Sequence, residues 1–145
     1  MVKLTEEQRH FLLEAIKTGK LATVRADGRP HVVPIWYHLD GDTIVFNTGN
    51  TSVKAANMRR DPRVMLCIDD ERPPFAFILI EGTATLSDDL ETVKHWATRI
   101  GGRYMGENLA EEYGNRRGSG HLTRPVAHWW RCSGNTCSTG SGRWP

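Results

Sequence analysis

Two Asp-Gly pairs, Asp27-Gly28 and Asp40-Gly41, constrain this chain more than any other feature. Both residue types tolerate positive φ, so each pair marks a tight hairpin turn. The pairs separate three strand-like runs at residues 20–25, 30–37 and 43–48. Connections this short leave no room for a crossover, so the three strands must lie antiparallel. Pro34 has no N–H to give a ladder, which predicts an edge, a bulge or a break at that point.

The rest of the chain surrounds these strands with helices. Thr5 and Gln8 form a capping-box pattern. Phe11, Leu12, Ala15 and Ile16 then recur at helical spacing until Gly19. A second short helix is expected over residues 52–60, stopped before Asp61-Pro62. Strands follow at 63–68 and 75–86, with Gly82 placed to make a bulge. Asp88 or Asp89 caps a helix over 90–105, with Val93, Trp96, Ala97 and Ile100 on its apolar face. Meander strands followed by helix-interrupted strands predict a mostly β fold, an antiparallel barrel with peripheral helices.

Composition excludes several function classes. The chain has 145 residues, enough for one domain with one core. A formal net charge of +2 does not argue for nucleic acid or a membrane surface. Apolar runs are far shorter than a membrane span. The first residues lack the apolar centre of a leader peptide, so a cytoplasmic protein is expected. Three cysteines without an export signal do not suggest a disulfide framework. Cys67, in an apolar run, reads as a small buried hydrophobe.

The chemistry concentrates between Asn47 and Val64. Hydroxyls of Thr48, Thr51 and Ser52 precede a short helix, and its first turn carries Lys54. Backbone amides at a helix start, with a lysine beside them, make an anion pocket. Arg59 and Arg60 extend the positive region. The plainer reading is a solvated basic helix face with a capped start. No Ser-His-Asp set, carboxylate pair or metal cluster appears among the expected elements. His121, His128, Cys132 and Cys137 lack a C-x-x-C pair and are not read as a zinc set. His31, Tyr37 and His38 have plain strand or surface readings, and no catalytic residue is assigned.

Four stretches together resemble the pyridoxamine phosphate oxidase-like split-barrel superfamily, in its small deazaflavin (coenzyme F420)-dependent oxidoreductase branch. They are residues 21–31, 33–37, 52–64 and 80–84, with Arg103-Tyr104-Met105-Gly106 and Glu111-Glu112-Tyr113-Gly114 in support. The resemblance implies a homodimer of split barrels with a cofactor at each end of the subunit interface. It assigns the cofactor phosphate to Asn47, Thr48, Ser52, Val53 and Lys54, and the ring to Val33, Pro34, Ile35 and Trp36. Trp36 reads equally as a core or interface aromatic. Asn57 and Arg60 are further candidates, although Asn57 can brace its own helix and Arg60 can pair with Asp61 or Asp69. The implied activity is hydride transfer between reduced F420 and a small organic acceptor. The alternatives are an FMN-dependent oxidase or reductase, and a carrier of the cofactor or of haem without turnover. The cofactor carries the hard chemistry in such proteins, so no catalytic triad is needed.

The resemblance runs to Gly118 and then stops, which divides the chain into a cofactor-binding domain at 1–118 and an atypical tail at 119–145. The tail has no hydrophobic period and crowds Trp129, Trp130 and Trp144 together. It reads as disordered, or as the product of a reading-frame change that removes the final barrel strand. Lower stability would follow from an exposed ladder edge.

Overall fold

The computed structural model describes residues 3–118 and 127–131. Both Asp-Gly pairs turn the chain as expected. Strands β1 (Gly19–Val24) and β2 (Pro30–Ile35) flank the first pair, and Gly28 takes φ 83°. Strands β3 (His38–Asp40) and β4 (Thr43–Val45) flank the second, with Gly41 at φ 59°. A side chain at either glycine would be strained by that φ alone.

Ahead of them, α1 (Glu6–Leu13) is capped by Thr5, whose side chain accepts from Gln8 N while the Gln8 side chain accepts from Thr5 N. The helix is shorter than its apolar spacing suggested. Its C-cap is Glu14, Ala15 turns to φ 48°, and Ile16 is largely exposed. Helix α2 (Val53–Arg60) precedes β5 (Arg63–Asp69) and β6 (Phe77–Ala84). Helix α3 covers Leu90–Met105, capped by Asp89, which accepts from Thr92 N.

The strands form a five-stranded antiparallel sheet in the order β2-β1-β5-β6-β7, and a separate β3-β4 hairpin. Pro34 lies on the edge strand β2, where its missing N–H costs least. Residues of β1, β5 and β6 alternate in burial, so one sheet face makes the core. Leu21, Leu66, Ile68, Ile78 and Ile80 pack there with Tyr37, Phe46 and Met58.

Two expectations need correction. The barrel is not closed among the described residues. The ladder of β4 stops at Val45, short of the expected Thr48, and no hydrogen-bonded pairing joins β4 to its neighbour β7 (Ala127–Arg131). The final strand is also not missing. β7 pairs with β6 through Glu81↔Arg131, Thr83↔His128 and Ala84↔Ala127, so the β6 ladder edge is covered there. The register shifts between Glu81 and Thr83, which places the irregularity at Gly82 as expected. Residues 119–126 and 132–145, and with them most of the atypical tail, lie outside the described residues.

A further helix, α4 (Glu107–Gly118), was not expected. It packs on α3 through small residues. A Cβ on Gly101 would sit 2.8 Å from Tyr113 Cβ, and one on Gly114 would overlap Thr98. These glycines therefore let the two helix backbones approach closely. Gly101 and Gly102 serve helix packing and form no phosphate loop.

Candidate functional site

The site begins where β2 ends. Pro34 and Ile35 close the strand, and Trp36 follows it with 37% of its surface exposed. Asn47 comes from the segment after β4, and Lys54 from the first turn of α2. Ile100 on α3 and Tyr113 on α4 complete a cavity of about 240 Å³ lined by these seven residues. Five of them were expected from the sequence.

Local chemistry places Lys54. Ser52 is the N-cap of α2, and its Oγ accepts from Ala55 N at 3.2 Å. Thr48 Oγ1 lies 2.9 Å from Ser52 Oγ, which ties the cap to the preceding segment. The cap fixes the first turn of α2, which carries Lys54. Asn47 Nδ2 donates to Val93 O at 3.4 Å. Its Oδ1 is buried and has no hydrogen-bond partner among the described residues.

The aromatic wall is ordered. Trp36 stacks on Tyr104, with ring centroids 4.9 Å apart and planes 7° apart. Tyr113 leans over Trp36 at 5.8 Å and 36°. One side of the cavity is thus flat and aromatic, and the other carries an amide and an ammonium group. This donor and ring set fits a planar, phosphate-bearing cofactor.

Six expected residues do not line the cavity. Val33 pairs with Leu21 in the β1-β2 ladder and packs against the core. Thr48 is 2% exposed and Ser52 serves the helix cap, so both support the wall from behind. Val53 is exposed beside it. Asn57 is buried, and its Nδ2 donates to Thr23 Oγ1 at 3.0 Å. Arg60 donates to Val24 O at 2.5 Å and to Asn57 Oδ1 at 3.0 Å. Both expected acidic partners of Arg60 are taken, Asp61 by Arg63 and Asp69 by Lys20. Arg59 donates to Asn50 O and Asn50 Oδ1. The arginines at this end of α2 therefore brace the fold.

The candidate proton carriers also lie elsewhere. Tyr37 is fully buried, donates to Leu12 O at 2.7 Å, and burial pushes its hydroxyl pKa well up. Burial also lowers the His38 pKa, and its Nδ1 accepts from Leu39 N at 2.8 Å. Its ring lies 6.0 Å from Trp96. Cys67 is half-buried, not the fully buried hydrophobe expected, and burial raises its thiol pKa. His121, Cys132 and Cys137 lie outside the described residues.

Sequence reasoning missed Ile100 and Tyr113 as wall residues. Ile100 has the spacing of a core residue, and Tyr113 lies in a stretch with little apolar period. Tyr113 had appeared only within a motif.

A larger hollow of about 610 Å³ opens on the other face of the sheet, lined in part by Ala22, Val24, Met65, Glu81 and Thr83. None of the expected cofactor contacts lines it. The smaller cavity, with its converging polar and aromatic groups, is the better candidate.

The family model for pyridoxamine 5'-phosphate oxidase matches residues 4–131. The chain belongs to that family. The match passes Gly118, where the resemblance was expected to stop, and includes β7. Solved structures agree with the family. A conserved hypothetical protein of Mycobacterium tuberculosis has a TM-score of 0.74 at 26% identity, covering 88% of this chain and 81% of that one. An F420 reductase has a TM-score of 0.61 at 25% identity, covering 81% and 90%. The haem storage protein of Vibrio cholerae shares the fold at a TM-score of 0.64 and 19% identity, covering 86% and 87%. No helix among the described residues is long and apolar enough to cross a membrane.

Proposed function

We propose that this family member is an oxidoreductase that binds the deazaflavin coenzyme F420 and passes hydride between it and a small organic acceptor. One observation carries the reading: Lys54, Asn47 and Trp36 line a single cavity. Likeness to an F420 reductase supports the choice of cofactor. When bound, the deazaflavin supplies the hydride. Lys54 holds its phosphate, Asn47 takes a hydroxyl of its chain, and Pro34, Ile35 and Trp36 orient the ring. Tyr113 and Ile100 keep water from that side. No side chain at the cavity is assigned acid or base work.

The same reading makes the working unit a homodimer. At about 240 Å³ the cavity is smaller than the roughly 300–1,000 Å³ usual for such sites. The sheet face away from the core carries Ala22, Val32, Met65, Phe77 and Leu79, the last four largely exposed. A second copy would cover this patch and add a wall to the cavity. Localisation in the cytoplasm belongs to the same reading.

The test is a calorimetric titration of the purified protein with F420 and with FMN. Tighter binding of F420, followed by oxidation of reduced F420 when nitroaromatic or enone acceptors are added, is the expected result. Preference for FMN would reassign the cofactor. Absence of binding to both would refute the reading. Sedimentation velocity should show a dimer at micromolar concentration that tightens when cofactor is added.

A further inference from the structure

Residues 14–18 form a strap between α1 and β1, and distant side chains hold it. Tyr37 Oη and Arg103 both donate to Leu12 O, at 2.7 and 2.9 Å. Arg103 also reaches Ala15 O at 3.3 Å. Within the strap, Lys17 Nζ turns back to Phe11 O at 2.9 Å and Glu14 O at 2.6 Å. Tyr104 Oη donates to Lys17 O at 2.6 Å.

The Tyr104 hydroxyl has a second bond, from Tyr37 N at 3.2 Å. It is therefore tied to two backbone groups in separate parts of the chain. The Arg103 guanidinium lies 4.8 Å from the Tyr37 ring centre and 5.4 Å from that of Tyr104. Burial raises the Tyr104 pKa, so the hydroxyl keeps its proton as a donor. Trp36, by contrast, is more than a third exposed. It stacks nearly parallel on Tyr104, while Tyr113 meets it at a wider angle and distance.

We propose that Tyr104 is a positioning residue: its doubly bonded hydroxyl fixes a ring on which Trp36 stacks, and this presets the indole for a planar ring ligand. A side chain already ordered in the free protein does not pay the ordering cost when ligand arrives. The ligand part of the inference rests on the cofactor reading above.

The test labels the full-length protein with 5-fluorotryptophan and assigns Trp36 and Trp96 by W36F and W96F. Y104F keeps the ring and removes the hydroxyl. The Trp36 fluorine resonance should shift or broaden in Y104F while that of Trp96 stays in place. F420 or FMN binding should weaken by roughly two- to tenfold, the range set by ordering one side chain. An unchanged Trp36 resonance would overturn the proposal, and so would an equal disturbance of Trp96, which marks general loosening. Should Y104F not fold, amide hydrogen exchange of the wild type decides. A protected Tyr37 amide in the free protein supports the anchor, and an unprotected one overturns it. If wild-type protein binds neither F420 nor FMN, the cofactor reading fails, while the fluorine result still judges the anchor.

Discussion

The two ends of α2 carry similar residues and do opposite work. At the N-terminal end, Ser52 caps the helix and Lys54 lines the cavity. At the C-terminal end, Asn57, Arg59 and Arg60 bond back to Thr23, Asn50 and Val24. Helix polarity explains part of the split. The N-terminus presents N–H groups and positive potential to an anion, while the C-terminal carbonyls favour basic side chains held close by. A positive charge in this helix thus lines the cavity or braces the fold according to the turn it stands on.

The sharpest test of the split is Lys54→Ala. Losing a charge-assisted contact of roughly 1.5–3 kcal/mol should weaken F420 or FMN binding about tenfold or more. The urea midpoint should scarcely move. Unchanged affinity in calorimetry would break the comparison at its ligand end.

Asn57→Ala should do the reverse. It leaves the nearly buried Thr23 hydroxyl without its Asn57 partner and takes one acceptor from Arg60. A stability loss of about 1–3 kcal/mol is expected in urea unfolding, with cofactor affinity within twofold of wild type. A large affinity loss with normal stability would move Asn57 back to the site.

Ser52→Ala falls between the two. Removing this N-cap should cost about 1 kcal/mol of stability. It should also weaken binding by a smaller factor than Lys54→Ala, because the cap orients the first turn. Equal loss in both variants would make Ser52 a direct ligand contact.

The smallest effect is at the C-cap of α2. Hydrogen bonds from the Arg63 side chain, then its backbone N–H, hold Asp61 down to about pKa 2. Its folded pKa lies below the unfolded value of roughly 3.9, so this contribution is present above pH 4. It fades as the pH falls toward 2. Asp61→Asn should therefore flatten the acid limb of the melting curve between about pH 4 and 2 and leave neutral-pH binding alone. A wild-type acid limb in that variant would remove Asp61 from the brace.

Much of this was legible in the chain because it rests on short-range rules. The Asp-Gly turns, the Thr5 cap, the Asp89 cap of α3 and the stop before Pro62 each depend on residues a few positions apart. The edge position of Pro34 follows from its missing donor. The same logic pointed to Lys54, Asn57 and Arg60 alike, and of these only Lys54 stands on the cavity wall, since a basic helix looks alike at both ends until its neighbours are known. β7 escaped notice because the strand at Ala127–Arg131 has no alternating apolar signal and takes its place by pairing with β6.

Local chemistry therefore settled which segments turn, cap and alternate, and that a capped basic helix follows the second hairpin. Packing between distant segments settled the rest. Trp36 stands on the cavity wall with Tyr104, far along the chain, stacked against it. Tyr113 reaches the same space because Gly101 has no side chain to keep α4 away. Such contacts depend on shape matching between surfaces that no sequence window contains, so only the folded chain could bring these residues to one cavity.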